Sequence, residues 1–278
     1  MPIYERYSRF VDVNGVKTHY LEAGSGDEMI LLHGGGAGCS SIDWVNNIEL
    51  LSRHFHVYAL DELGYGLTEK VADNSISGRI QHAIEFGDAL NINSAHYVGH
   101  SLGAYMSTTI SLDYPKKTRS LVIVDSGSTA PLGTLDELGR RMPGHLMARN
   151  FKSDKSKENV RRILENVIHN NNLITEDYVD TWWRYANYPD VDKVEEERAI
   201  ENRPILTDRL IDLAVPTMIV WGAQDTCAPL YRAIKLHELI PNSRMHIFDQ
   251  ASHCVMIDHA EYFSNLLIAF CGDNRLMG

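Results

Sequence analysis

Gly99-His100-Ser101-Leu102-Gly103 follows the short apolar run Ala95-His96-Tyr97-Val98. It precedes Ala104 to Tyr114, which reads as a helix stopped by Pro115. The pentapeptide fits G-x-S-x-G, the pattern in which a strand turns into a helix with a serine at the apex. Such an elbow needs small neighbours, because side chains two positions either side of the serine collide with it or with the next strand. Ser101 is therefore expected to project from the edge of a sheet. The N-terminus of the following helix then lies near any negative charge that develops there. Alone, the pentapeptide also fits an ordinary glycine-rich turn, so its surroundings decide.

Outward from the elbow, short apolar runs recur. Met29 to Leu32 ends in His33-Gly34-Gly35-Gly36, His56 to Leu60 ends at Asp61, and Leu121 to Val124 ends at Asp125. Thr217 to Trp221 and Met245 to Phe248 follow later. Runs apolar on both faces suit central parallel strands covered by helices. Helical patterns at 44–54, 77–91, 102–114, 229–240 and 258–270 lie between most of them. At the start, Tyr7 to Val13 and Val16 to Glu22 flank Asn14-Gly15, a two-residue hairpin signal. The expected fold is α/β: a mostly parallel twisted sheet flanked by helices and entered through an antiparallel hairpin.

The stretch 131–208 breaks the rhythm. It is polar, and Ser156 to Asn170 places Val160, Ile163, Leu164, Val167 and Ile168 at helical spacing. Thr175-Glu176-Asp177 reads as a helix start. The expected division is a core over 1–130, a helical cap or lid over 131–208, and a second core part over 209–278. A helical excursion that only stabilises the core is the alternative for the middle stretch.

With 278 residues, 44% hydrophobic and 23% charged, the chain has the composition of a globular enzyme. A formal net charge of −11 argues against nucleic acid and anionic membranes as partners. No secretory signal and no membrane-length apolar run stand out, and Cys39, Cys227, Cys254 and Cys271 show no paired spacing. A cytoplasmic protein with reduced thiols, acting on a small molecule and able to form a homo-oligomer, is expected.

Ser101 needs a base, and the chain holds 13 histidines. His253 follows the last strand and precedes the last helix, which puts it at the carboxyl edge of the sheet beside Ser101. His259 falls within a helix, and His96 and His246 within strands, where packing is their expected role. The base needs an orienting carboxylate. Asp225 follows the strand at Thr217 to Trp221, and the order Ser, Asp, His is the one that accompanies this elbow. Asp125, also just past a strand, is its rival, with bonding to the turn at Ser126-Gly127 as its other role. An oxyanion hole is expected from the backbone N–H groups of Leu102 and of Gly35, where glycine lets substrate approach closely. Cys39, Cys227 and Cys254 lie beside these motifs. Their spacing matches no zinc pattern, so small apolar pocket residues are expected rather than a metal site. No cofactor is required.

In their order, His33 to Gly36, Asp61-Glu62-Leu63-Gly64-Tyr65-Gly66, the Ser101 elbow, Trp221 to Asp225 and His253 resemble the α/β-hydrolase superfamily over nearly the whole chain. Within it, His33 to Gly38 followed by Trp44, Leu173 to Glu176, and the segment Ile257-Asp258-His259 are most similar to hydrolases of ring-fission products, which cleave a carbon–carbon bond. That group commonly carries Asn before the nucleophile, Trp after the catalytic His, and a cap Arg that holds a substrate carboxylate. His100, Cys254 and Trp182 stand at those places here, with Arg184 two residues on. The resemblance implies a substrate wall drawn from Gly34, Gly36, His100, Trp182, Trp183, Arg184 and Cys254. Core packing is the other role for both tryptophans.

Losing the Arg removes a charge-assisted contact, and Cys254 in place of Trp widens the pocket. The expectation is therefore a serine hydrolase that cleaves a small carboxylic ester, with an aromatic or carboxylate-bearing group, through an acyl-enzyme on Ser101. The alternative is a carbon–carbon bond hydrolase of a 2-hydroxy-6-oxo-dienoate in aromatic degradation. A ligand receptor on a hydrolase scaffold is a third reading.

Overall fold

Asn14 and Gly15 both take positive φ, 51° and 87°, and close the first hairpin with Val13 opposite Val16. In the computed structural model, which describes residues 3–129, 154–189, 191–200 and 204–273, this hairpin is one edge of an eight-stranded sheet. The strands are β1 (Ser8–Val13), β2 (Val16–Gly24), β3 (Asp27–Leu32), β4 (Phe55–Leu60), β5 (Ala95–His100), β6 (Thr118–Val124), β7 (Thr217–Gly222) and β8 (Arg244–Phe248). Their order is β1-β2-β4-β3-β5-β6-β7-β8. The pairs β1/β2 and β2/β4 are antiparallel, and every other pair is parallel.

From β3 the chain moves outward to β4, then returns to place β5 on the other side of β3. That reversal opens a crevice at the carboxyl ends of β3 and β5, where ligands bind in sheets of this kind. It brings the loop after β3, with Gly34 to Gly36, against the elbow after β5.

Both faces of the sheet are covered. Leu31, Val57, Val98, Val122 and Val220 point into one apolar layer, which α1 (Val45–Leu51) and the last helix, Ala260–Asp273, complete with Ile48, Leu51, Phe263 and Leu267. Alternate residues Ile30, Leu32, Tyr58, Tyr97 and Leu121 enter the other layer, under α2 (Ile76–Ala89) and α3 (Leu102–Asp113). This alternation is the period of two that a strand imposes, applied to residues that are apolar throughout.

Between β6 and β7 the described residues form helices: α4 (Lys157–Val167), α5 (Glu176–Ala186) and α6 (Val191–Ile200). Ser156 Oγ caps α4 by accepting from Asn159 N, and Thr175 Oγ1 caps α5 by accepting from Tyr178 N. Val160, Ile163, Leu164 and Trp182 from these helices join the same apolar layer as α1, so this helical part shares a core with the sheet. Residues 131–153, 190 and 201–203 of the expected cap lie outside the described residues. After β7 come α7 (Tyr231–Leu239), the short α8 (Val255–Asp258) and α9 (Ala260–Asp273). Among the described residues no helix is long and apolar enough to cross a membrane.

Candidate active site

Ser101 sits at φ 51°, ψ −110°, outside the regions an L residue normally occupies. The elbow is held by Ser101 N donating to Val124 O at 2.8 Å and by Gly103 N donating to His33 O at 3.0 Å. Glycine is required on both sides. A Cβ on Gly99 would lie 2.3 Å from Gly103 O, and one on Gly103 would lie 2.4 Å from His33 O. The glycine loop after β3 covers the serine: a Cβ on Gly34 would stand 3.4 Å from Ser101 Cβ. Leu102 opens α3, so its N–H is among the helix donors without an intrahelical acceptor.

His253 and Asp225 meet across the ends of β8 and β7. His253 Nδ1–H donates to Asp225 Oδ2 at 2.8 Å, and the Asp225 carboxylate is shut off from solvent. The other oxygen, Oδ1, accepts from Cys227 N at 2.7 Å and Ala228 N at 2.9 Å. This arrangement fixes the tautomer with Nε2 bare, ready to accept a proton. Ser101 Oγ makes no hydrogen bond with a described residue. Such bonds tighten when substrate is in place. Asp225, Cys227 and His253 come close enough to share a divalent ion. The pairing within the site accounts for that cluster, because both Asp225 oxygens are already committed.

Asp125 lies nearby but does not touch His253. Fully buried at φ 48°, it accepts from Gly222 N at 2.8 Å and Val255 N at 3.4 Å. It therefore bonds across to the ends of the Asp225 and His253 loops rather than to its own turn at Ser126-Gly127. Burial, and then the neighbouring Asp225, push its carboxyl well above the usual carboxylate range.

His100 reaches the site but not its surface. Its Nε2–H donates to the carbonyl of His253 at 2.8 Å, and its ring packs 4.8 Å from that of His253. Its other face is sealed against Gly34, where a Cβ would come within 2.8 Å of Nδ1. Burial, and then the proximity of His253, hold His100 neutral, well below the ordinary histidine range. Its bond holds the loop that carries His253.

The other expected wall residues divide. Trp182 packs over the glycine loop: a Cβ on Gly38 would overlap its ring at 2.1 Å, and one on Gly36 would touch it at 4.0 Å. Cys254 is buried in the same apolar layer, and burial followed by Asp43 and Cys39 raises its thiol well above the usual range. Trp183 turns instead to the segment before α4, where its Nε1–H donates to Lys155 O at 2.7 Å. Arg184 is exposed, with no hydrogen bond or ion pair to a described site residue.

No motif or spacing singles out Asp43. It is buried, and Tyr178 OH from α5 donates to its Oδ1 at 2.7 Å. Burial raises its carboxyl to about 6, against the opposing pull of His33 and Tyr178. Asp61, by contrast, is a structural hub. Desolvation there is outweighed by His19 Nδ1–H at 2.6 Å, Ser41 N at 2.7 Å and Leu67 N at 2.8 Å, and its carboxyl lies below the usual range.

Residues 28–260 match the family model described as the alpha/beta hydrolase fold. The chain belongs to the alpha/beta hydrolase fold family. Among curated relatives, it is 30% identical to a 2-hydroxy-6-oxo-6-(2'-aminophenyl)hexa-2,4-dienoic acid hydrolase of Metapseudomonas resinovorans, over 94% of this chain and 90% of that one. It is 28% identical to a 2-hydroxy-6-oxononadienedioate/2-hydroxy-6-oxononatrienedioate hydrolase of a Pseudomonas species, over 95% and 96%. A solved structure of a meta-cleavage product hydrolase from Pseudomonas fluorescens IP01 shares the fold, with a TM-score of 0.83 at 24% identity over 95% of this chain and 97% of that one.

These relatives correct the expectation of a small carboxylic ester. Their names specify dienoate substrates, and they are hydrolases rather than receptors. The features that had favoured an ester were His100, Cys254 and the missing cap Arg. Of these, His100 is buried between Gly34 and the His253 carbonyl.

Proposed function

We propose that this hydrolase cleaves the C5–C6 bond of a 2-hydroxy-6-oxohexa-2,4-dienoate, a vinylogous diketone produced by ring fission of an aromatic compound. The observation that carries this reading is likeness along nearly the whole chain to hydrolases named for such dienoates. The paired His253 and Asp225 behind the strained Ser101 support it.

The chemistry sets the order of steps. Carbon is a poor leaving group unless its electron pair can delocalise, so the dienol first ketonises: the 2-hydroxyl loses its proton and C5 gains one. Ser101 Oγ then attacks the C6 carbonyl, and its proton passes to His253 Nε2. The N–H groups of Gly35 and Leu102 hold the resulting oxyanion. The C5–C6 bond breaks, and its electron pair flows through C4 and C3 to the 2-oxo oxygen. The proton on His253 passes to that dienolate, and 2-hydroxypenta-2,4-dienoate departs. Water, deprotonated by His253, attacks the acyl group on Ser101 and releases a carboxylate. One water is consumed for each bond cleaved. Asp225 keeps Nε2 available throughout and stabilises the protonated imidazole.

A side-by-side assay of a 6-phenyl dienoate and a panel of aryl esters tests the reading. The expected result is a higher kcat/KM for the dienoate, lost in Ser101→Ala. Faster turnover of the esters would contradict it.

A further inference from the structure

The loop that carries His253 is tied down residue by residue, and two of its ties lead to the helical part between β6 and β7. Ser252 Oγ donates to Asn166 O at 3.2 Å, and Cys254 N donates to Val167 O at 3.0 Å. His253 O is held by His100, and Val255 N by Asp125. Thr226, next to Asp225, also donates to Asn166 O, at 3.4 Å. The residues on both sides of His253 thus hang from the C-terminal turn of α4.

Asp258 joins the two parts. Its Oδ2 accepts from His169 N of the cap at 3.0 Å and from Ser252 N of the base loop at 2.9 Å. Its Oδ1 accepts from Asn170 N at 2.9 Å. One carboxylate therefore takes three backbone donors from segments more than eighty residues apart. Hydrogen bonds to a charged acceptor are the stronger kind. Only a carboxylate can accept on both sides, because an amide turns a donor towards one of them.

We propose that Asp258 is a positioning residue, which sets His253 by fixing its loop to the cap. Movement of segment 166–170 when substrate docks is then passed to the base. The inference rests on the proposed role of His253 as the base. A loose cap leaves the imidazole misplaced, and a displacement of about 1 Å costs on the order of 100-fold in rate.

The test uses the full chain, labelled with 15N-histidine, and two variants. In the unaltered protein the His253 Nδ1–H, assigned by its loss in His253→Gln, should give a low-field resonance held by Asp225. Asp258→Ala should broaden or shift that resonance and lower kcat on the dienoate by about 10- to 100-fold. Asp258→Asn retains an oxygen that can bridge His169 and Ser252, so it should lose less than Ala. An unchanged resonance and kcat in Asp258→Ala, with only a lower unfolding temperature, would show that Asp258 is merely structural. If Asp258→Ala does not fold, Asp258→Asn decides: a shifted resonance with at least a threefold loss of kcat supports the proposal, and no change in either overturns it. The resonance is read without substrate. Inactivity of the unaltered chain on dienoates would therefore count against the functional reading alone.

Discussion

Replacing Asp225 by Asn should cost far more than the loss of one charge. Asp225 Oδ1 is fixed by two backbone donors, Cys227 N at 2.7 Å and Ala228 N at 2.9 Å. In Asp225→Asn the amide oxygen must stay there, because a flip would aim NH2 at two N–H groups. Leaving two such donors unpaired costs about 1–3 kcal/mol each. The amide nitrogen is then directed at His253 Nδ1, which must accept rather than donate. The imidazole proton moves to Nε2, the atom required to receive the proton of Ser101. A wrong tautomer of this kind lowers kcat by roughly 10⁴-fold, or about 5.4 kcal/mol in the barrier. The assay is single-turnover loss of the dienoate absorbance, with urea unfolding as the control for stability. Stability should move by less than about 1 kcal/mol, since the loop donors keep their acceptor. A variant that retained more than a tenth of the wild-type rate would refute the assignment of Asp225 and reopen the question of which carboxylate orients His253.

Asp43 gives a pH signature. Its carboxyl titrates at about 6 in the fold, against an ordinary value of 3.8. The folded state therefore holds this proton more tightly than the unfolded chain does. The resulting stability is fully present below pH 4 and is lost as pH rises through 6. Asp43→Asn keeps an acceptor for Tyr178 and removes the titration. Its stability relative to wild type should rise by about 2 kcal/mol between pH 4 and pH 7, and parallel denaturation curves at the two pH values would be the contrary result. Arg184→Ala should change kcat/KM on a dienoate by less than about threefold, because the side chain is exposed; a tenfold rise in KM would put it back at the site. Gly103→Ala forces a methyl against His33 O and Leu32 O, both backbone, and should lower stability by about 1–3 kcal/mol or more, as read by thermal unfolding.

Local chemistry made much of this fold readable. Asn14-Gly15 specifies a hairpin because both residues tolerate positive φ. Gly99 and Gly103 mark the elbow because nothing larger fits. Ser156 and Thr175 announce helices because their hydroxyls meet the first free N–H groups. Asp225 and His253 were findable because each follows a strand at the same edge of the sheet. What stayed hidden are contacts made only by the folded chain. Asp43 meets Tyr178 across 135 positions, and Asp258 meets His169 across 89. No spacing rule encodes either. The burial of His100 between Gly34 and the His253 carbonyl was hidden for the same reason. The ester expectation leaned on two single positions, the lost Arg and Cys254 in place of Trp, and likeness along nearly the whole chain outweighs them.

Carbon–carbon cleavage with Ser101 as nucleophile is read directly by incubating a 2-hydroxy-6-oxo-6-phenylhexa-2,4-dienoate with the protein and following both products by NMR. One benzoate and one 2-hydroxypenta-2,4-dienoate should form for each substrate consumed, with no turnover by Ser101→Ala. Unchanged dienoate, or equal product formation by Ser101→Ala, would contradict it.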